Sequence, residues 1–222
     1  MTVYTVYARP KVGKTTFALK DAPKGKTAIL SADQGLIGID TTGITVEEDM
    51  STKNLNKLMN GSFLRSHTRI VMDTATALHA DMLFEMTKGG GASQAQYGVA
   101  NSGLLAIIRQ LRNEKTKQTI ILAQEKLILP NEEWVSEDTD EDTGVMTTVD
   151  LSPGAASGLL QMSDVIGRLY IAHVNDKPVR RLWLGPSSSI VSGARSKTYS
   201  GNPPFLKQPS VGRLNQLLGW TR

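Results

Sequence analysis

The chain has 222 residues, 40% of them hydrophobic and 21% charged, with a formal net charge of +4 and no cysteine. These values are typical of a soluble globular protein with one sizeable core, and they exclude disulfides and thiolate metal sites. No stretch reaches the ~18 apolar residues of a membrane span, and the N-terminus lacks the apolar core of a signal peptide. We therefore expect a cytoplasmic protein without membrane contact.

The first 125 residues alternate strand and helix patterns. In chain order we predict a strand at 2–8, a short helix through Leu19, a strand at 26–32, an irregular connection at 35–50, a helix at 51–60, a strand at 69–75, a helix at 76–87, a flexible glycine-rich break at 88–94, a helix at 97–115 and a strand at 119–124. Such alternation favours an α/β fold with a mainly parallel central sheet.

The remainder predicts an antiparallel extension of that sheet. An acidic loop or hairpin at about 130–150 is followed by a helix ending near Met162, then by strands at 164–174 and 178–186 joined by a turn at 175–177. A last short helix is expected at 211–218. We predict one domain over residues 1–222.

Charge is distributed unevenly along the chain. Residues 131–150 hold eight acids and no Lys or Arg, whereas residues 177–222 hold eight bases and no acid. A basic block of this kind either tracks a phosphate backbone or is an ordinary solvated surface. Within it we name Arg180, Arg181 and Lys207 as nucleic-acid-binding candidates.

The segment "ARPKVGKTTFA" has the pattern of a phosphate-binding loop between a strand and a helix. Gly13 allows close backbone approach, Lys14 supplies a cation to the outer phosphates, and Thr15 offers a hydroxyl to Mg²⁺. Ala8 stands where Gly is commoner, and a small residue suffices there if its φ is negative. The alternative is a plain strand–turn–helix. The predicted nucleotide-binding residues are Ala8, Arg9, Pro10, Lys11, Val12, Gly13, Lys14, Thr15 and Thr16.

Asp73 ends the buried apolar strand "RIVMD". A carboxylate at this position either holds Mg²⁺ opposite the Thr15 hydroxyl or caps the following helix together with Thr74. With a phosphate loop upstream we favour the metal role, which makes Thr15 and Asp73 the predicted magnesium ligands. The three histidines are isolated in sequence, and we interpret them as structural.

Four segments together resemble the RecA-like ATPases, and more narrowly the compact phage members that act as RecA-related single-strand-annealing recombinases or phage nucleotide-binding proteins. They are "ARPKVGKTTFA", "ILSADQGL", "RIVMDTAT" and "TIILAQEK". The likeness runs from Val3 to about Lys207. It implies a RecA-like fold, ATP and Mg²⁺ as cofactors, ATP hydrolysis, and a homo-oligomer that handles single-stranded DNA.

The resemblance also implies roles for single residues. Asp33 falls where a carboxylate, usually Glu, orients the attacking water, and Gln124 falls on the residue that senses the γ-phosphate. Together with Lys14 they are the predicted catalytic residues. A looser likeness in "GARSKTYSGNPPFLKQ" implies that Arg195 and Lys197 reach the nucleotide of a neighbouring subunit; a basic surface turn is the alternative.

The acidic stretch disagrees with a simple transfer of DNA binding, because acids after the sensor Gln repel phosphate. We therefore keep two alternatives to DNA handling open. One is a nucleotide-dependent switch or loader that acts on a helicase or single-strand-binding protein. The other is a metabolic kinase, which is weakened because no lid segment with paired arginines is evident.

Overall fold

The computed structural model describes residues 2–114, 117–129 and 144–220. Its elements in chain order are β1 Thr2–Ala8, α1 Lys14–Leu19, β2 Thr27–Ser31, β3 Ile44–Glu47, α2 Thr52–Asn60, α3 Phe63–Ser66, β4 Arg69–Asp73, α4 Ala75–Thr87, α5 Gln94–Asn113, β5 Gln118–Ile128, β6 Met146–Val149, α6 Pro153–Met162, β7 Val165–Val174, β8 Lys177–Trp183, β9 Gly193–Ala194, β10 Phe205–Lys207 and α7 Val211–Leu217. None of the helices in these ranges combines the length and apolar character needed to traverse a bilayer.

The strands form one sheet in the order β10-β8-β7-β1-β5-β4-β2-β3, with β6 beside β5 and β9 beside β7. The strands β3, β2, β4, β5, β1 and β7 run parallel to their neighbours. The predicted α/β fold with a mainly parallel central sheet is confirmed. Strand β5 lies between β1 and β4, so the ends of these three strands meet at the same edge of the sheet.

The antiparallel extension is also confirmed, and it consists of β7, β8 and β10. Val174 pairs with Lys177, which leaves Asn175 and Asp176 as a two-residue hairpin loop with φ values of 50° and 60°. Positive φ at both loop residues is typical of a type I′ turn, whose twist matches that of the two strands it joins. The hairpin therefore continues the sheet beyond β7 without a break.

Two sequence predictions need correction or limitation. The connection at 35–50 was expected to be irregular, but Ile44–Glu47 pairs with β2 as an edge strand. Its side chains are half-buried or exposed, so no apolar alternation marks it. Of the predicted acidic hairpin, Met146–Val149 pairs antiparallel with Glu125–Ile128, and residues 130–143 lie outside the described residues.

Helices cover both faces of the sheet and enclose two apolar clusters. One cluster joins α1 and α7 to the sheet through residues such as Phe17, Leu182 and Leu214. The other joins α2–α6 to the opposite face, with Leu104 and Ile108 fully buried. Burial of apolar surface on both sides is the usual condition of a parallel sheet.

Arg69 anchors the C-terminal end of α1 to the sheet. The residue is 4% exposed, and its guanidinium donates to the carbonyl of Ala18 at 3.3 Å, to Asp21 at 2.8 Å and to the side chain of Gln118 at 3.0 and 3.1 Å. Asp21 also accepts the backbone N–H of Gly212 at the start of α7. One buried cation thus holds α1, and with it the loop that precedes α1, against β4 and β5.

Replacement of Arg69 tests this anchor. Arg69→Met should lower the free energy of unfolding by about 3 kcal/mol, because it leaves Asp21 without its buried counter-ion. Urea denaturation measures the change. Arg65→Met, at an exposed position of α3, is the control and should change stability by no more than about 0.5 kcal/mol. A loss below about 1 kcal/mol for Arg69→Met would contradict the anchoring role.

Candidate functional site

The segment between β1 and α1 forms a compact loop at the carboxyl end of the sheet. Ala8 is fully buried and has no positive φ, so its methyl group fits where Gly is commoner. Gly13 has a φ of 100° and immediately precedes α1, a conformation that L side chains rarely adopt. The loop therefore needs a glycine at Gly13 and only a small residue at Ala8.

Lys14 lies inside this loop and is 7% exposed. Its ammonium donates to the Gln124 side-chain oxygen at 3.0 Å and approaches the carbonyl oxygens of Ala8 and Arg9 at 3.5 Å. Burial lowers the pKa of the ammonium, and the carboxylates of Asp73 and Asp33 act in the opposite direction. The structure thus brings the predicted cation and the predicted sensor Gln124 into direct contact.

Thr15 and Asp73 also meet directly. The Thr15 hydroxyl donates to Asp73 Oδ2 at 2.6 Å. The cap of α4 is Thr74, whose side chain accepts the N–H of Ala77 at 3.1 Å. The sequence allowed either Asp73 or Thr74 to cap α4, and in the structure Thr74 is the cap. The carboxyl group of Asp73 instead faces Thr15. The magnesium role of both residues stays a prediction.

Two buried polar atoms beside this contact have no hydrogen-bond partner among the described residues. They are Asp73 Oδ1 and Ser31 Oγ, on directly paired residues of β4 and β2. Buried polar atoms are normally satisfied, so such atoms indicate a missing ligand or water. A carboxylate and a hydroxyl are ligand types that Mg²⁺ accepts, with water and phosphate oxygens completing its shell. The residues present therefore fit a magnesium–phosphate ligand.

The surroundings of Asp73 perturb its own ionisation. Burial raises the pKa of this carboxyl to about 6; the nearby Asp33 adds to the rise, and Thr15 and Lys14 oppose it. Asp33 itself is exposed, accepts the N–H of Gly35 at 3.1 Å and donates its backbone N–H to the carbonyl of Asp73 at 3.4 Å. The predicted water-orienting residue thus stands at the mouth of the site, beside the predicted metal ligands.

These residues enclose a cavity of about 500 Å³. It is lined by Pro10, Lys11, Gly13, Lys14, Thr15, Thr16, Asp33, Gly35, Ile37, Ile39, Asp73, Gln124 and Arg180. A second cavity, of about 560 Å³, adjoins it between α1 and the β7–β8 hairpin, and its lining includes the apolar side chains Phe17, Leu169 and Ile171. Gly13, Thr16 and Arg180 line both cavities, so the two cavities adjoin at the loop.

The basic candidates of β8 and β10 lie on different faces of the sheet. Arg180 contacts the phosphate loop and donates from Nε to the carbonyl of Val12 at 2.8 Å. Arg181 lies on the other face, with its guanidinium 4.2 Å from the Phe205 ring centre, and it pairs across strands with the exposed Lys207. Sequence reasoning grouped the two arginines; strand alternation could have separated them, but not located Arg180 on the loop.

Glu125 is a further residue that sequence reasoning missed. Its side chain is 2% exposed and binds Arg168 through two hydrogen bonds of 2.9 and 3.0 Å and the loop residue Arg9 at 3.3 Å. It therefore ties the loop to β5 and β7. The signal was its position directly after the predicted sensor Gln124 at the end of a buried strand.

Arg195 and Lys197 lie at the opposite end of the strands. The backbone N–H of Arg195 donates to the carbonyl of Asp164 at 2.8 Å, and the side chain of Asp164 accepts the N–H of Val3 near the start of β1. The seven residues of β1 span roughly 20 Å, so this pair is remote from the loop of its own chain. Lys197 is exposed. A contact with a neighbouring subunit's nucleotide stays a prediction.

The raised pKa of Asp73 predicts a pH dependence of stability without Mg²⁺ and nucleotide. The folded carboxyl (pKa about 6) binds its proton more tightly than the unfolded one (ordinary pKa 3.8), so this group's stabilising contribution is present below about pH 4 and is lost as the pH rises through 6. The loss amounts to about 3 kcal/mol. Asp73→Asn should remove it, since the amide oxygen still accepts from Thr15.

Urea denaturation of the wild type and Asp73→Asn between pH 4.5 and 8 measures this difference. We expect the variant to become the more stable protein above pH 6, with the gap closing toward pH 4.5. Other carboxyl groups affect both proteins alike and cancel in the comparison. Parallel profiles across the whole range would contradict the assignment of the perturbed ionisation to Asp73.

Comparisons with known proteins agree with this geometry. The family model described as an AAA domain matches residues 2–196. Among 253 matching chains of solved structures, a KaiC-like protein from the hyperthermophilic archaeon Pyrococcus horikoshii OT3 has a TM-score of 0.51 at 11% identity, over 82% of this chain and 77% of that chain. That likeness shows the fold alone. Comparison with curated protein sequences gives no match. The chain belongs to the AAA domain family, and its loop and RecA-like fold are those of a P-loop ATPase.

Proposed function

We propose that this protein binds and hydrolyses MgATP and uses it to handle single-stranded DNA as a homo-oligomer, in phage recombination or annealing. The observation that carries the ATP part is the convergence of Lys14, Thr15, Asp73 and Gln124 on one cavity at the carboxyl end of three neighbouring strands. P-loop ATPases generally use ATP and Mg²⁺. The phage setting is supported by the four sequence segments that resemble phage RecA-like proteins.

Five residues of the cavity have a defined task in this proposal. The Lys14 ammonium neutralises phosphate oxygens. It either gives up its hydrogen bond to the Gln124 oxygen or keeps that bond and donates its other N–H groups to the phosphate. Thr15 and Asp73 hold Mg²⁺, which supplies charge neutralisation at the outer phosphates when bound. Asp33, at the mouth, orients water for attack. Gln124 then reports the presence of the outer phosphate, because its side-chain oxygen accepts from Lys14 and its backbone continues along β5 to Ile128.

The adjoining apolar cavity supports a nucleoside over a simple phosphate compound as the ligand. Its accessible apolar side chains, Ile171, Pro178 and Val179, offer contact area next to the polar loop. Nucleotide sites combine such an apolar compartment with a few placed polar groups. A site for inorganic phosphate alone would not need this compartment.

The DNA part of the proposal is supported by the face of the β7–β8–β10 sheet that points away from α1. Cross-strand pairing aligns Tyr170, Arg181 and Lys207 in one row and places Trp183 beside Phe205 in the next. We call these five residues the basic-aromatic face. The Trp183 and Phe205 rings stack with centroids 6.4 Å apart. Single-strand-binding surfaces combine cations for the backbone with aromatic rings for the bases.

A hollow at the edge of this sheet supports the same reading. It has a volume of about 300 Å³, and its basic lining residues are Arg180, Arg181, Lys207 and Arg213. Such a concentration of positive charge suits phosphate groups. The oligomer in the proposal is based on Arg195 and Lys197: because they lie far from the loop of their own chain, we assign them to the nucleotide of a neighbouring subunit.

Loss of the loop cation tests nucleotide binding. Lys14→Ala should abolish measurable MgATP binding in isothermal titration calorimetry, because the amine that neutralises the outer phosphates is gone. Ala8→Gly is the matched loop variant, and it should bind like the wild type. Circular dichroism verifies that both variants stay folded. Unchanged MgATP affinity in Lys14→Ala would remove the basis of the proposed function.

Salt dependence tests DNA binding by the basic-aromatic face. Removing Arg181 and Lys207 together should flatten the slope of log affinity against log salt for a labelled single strand by about 1.4, or about 0.7 per lost phosphate contact. Lys53→Ala with Lys57→Ala, two exposed positions on α2, is the charge-matched control and should keep the wild-type slope.

The wild type itself decides between DNA handling and the alternative. If it binds MgATP but no single strand at low salt, the protein is the nucleotide-dependent switch that acts on a protein partner such as a helicase or single-strand-binding protein. An equal slope in the double variant and in its control would place the DNA contacts elsewhere on the chain.

A further inference from the structure

Arg180 crosses from the β7–β8 hairpin to the phosphate loop and is held there. Its Nε donates to the carbonyl oxygen of Val12 at 2.8 Å, a contact between residues 168 positions apart in the chain. A Cβ on Gly13 would lie 2.7 Å from Nε and 3.1 Å from Cζ of Arg180. The guanidinium thus occupies the place that a side chain at Gly13 would take, which is a second reason, besides its φ of 100°, for glycine at that position.

The same guanidinium stands at the boundary between two compartments. Arg180 lines the 500 Å³ cavity that contains Lys14, Thr15 and Asp73, and it also lines the 560 Å³ apolar cavity beside α1. Gly13 and Thr16 are the other residues common to both. A ligand that extends from one compartment into the other must therefore pass Arg180.

The bonding of Arg180 leaves donors for such a ligand. Only Nε is engaged, and the two terminal NH₂ groups have no hydrogen-bond or ion-pair partner among the described residues. A guanidinium offers its NH₂ groups in a fixed planar fork that matches the oxygens of a phosphate. By contrast, Lys14, another cation that lines the cavity, is deeply buried and bound to Gln124.

We propose that Arg180 is a further cation of the nucleotide site, supplied by β8 of the same chain in addition to the loop lysines, and that it contacts the stretch of phosphate chain between Lys14 and the nucleoside. This inference rests on the proposed nucleotide binding. It assigns Arg180 to the nucleotide and leaves Arg181, on the opposite face of the same strand, to the basic-aromatic face. The Val12 carbonyl fixes the guanidinium in position before the ligand arrives, so little side-chain entropy is lost on binding.

The hollow lined by Arg180, Arg181, Lys207 and Arg213 offers a competing ligand, the phosphate backbone of a nucleic acid. The geometry favours the nucleotide, because the bond to Val12 and the contact with Gly13 place the guanidinium on the loop. The test must therefore measure both ligands on the same variants.

The experiment compares the affinities of Arg180→Ala, Arg180→Lys and Lys177→Ala for MgATP and MgADP with those of the wild type by calorimetry. Arg180→Ala should bind both nucleotides roughly 10- to 100-fold more weakly, the usual effect of losing a hydrogen bond to a charged group. Arg180→Lys, which keeps the charge but loses the fork, should fall in between. Lys177→Ala, an exposed cation on the same strand, should stay within about twofold of the wild type.

The outcomes separate this inference from the proposed function. If the wild type binds MgATP, Lys14→Ala does not, and both Arg180 variants bind within twofold of the wild type, only the inference on Arg180 is overturned. If the wild type does not bind nucleotide, the proposed function itself fails. A loss of single-strand affinity without nucleotide, with MgATP affinity unchanged, would assign Arg180 to the nucleic acid and overturn the inference. Thermal unfolding shows which variants are folded. If Arg180→Ala does not fold, the nucleotide affinity of Arg180→Lys decides the outcome.

Discussion

The candidate site depends on two opposite charges, Lys14 and Asp73, that are buried at one end of a parallel sheet. The ammonium of Lys14 and the carboxyl of Asp73 are 7% and 1% exposed, and each is held by a neutral side chain, Gln124 and Thr15 respectively. Burial is costly for any charge that lacks full compensation. The lowered pKa of Lys14 and the raised pKa of Asp73 express that cost. A magnesium–phosphate ligand brings both signs of charge and relieves both groups.

The topology of the sheet explains why these groups meet. Strand β5 lies between β1 and β4, so Gln124 stands between the loop after β1 and the carboxylate that ends β4. Arg69, at the other end of β4, fixes the end of α1. On the far side of β1, strand β8 carries Arg180 toward the loop and Arg181 toward the opposite face. Two ligand sites can therefore lie back to back across a single strand.

The sequence predicted the parts of this arrangement that depend on local pattern. The loop after a β-branched strand and Asp73 at the end of an apolar run follow from short motifs, and the alternation of elements predicted the sheet. Arg180 could not be predicted, because its contact with Val12 spans 168 residues and depends on how the hairpin packs. Strand β3 escaped notice because an exposed edge strand lacks apolar alternation. The capping of α4 by Thr74 and the contact of Asp73 with Thr15 depend on geometry that sequence leaves open.

A crystal structure with Mg²⁺ and a non-hydrolysable ATP analogue would show whether nucleotide occupies this site. We expect phosphate oxygens within hydrogen-bond distance of Lys14 and Arg180, and Mg²⁺ bound by the Thr15 hydroxyl and, directly or through water, by Asp73. We expect the nucleoside in the apolar cavity beside Phe17. An analogue bound away from the loop at residues 8–16, or a loop that stays empty at saturating nucleotide, would contradict these expectations.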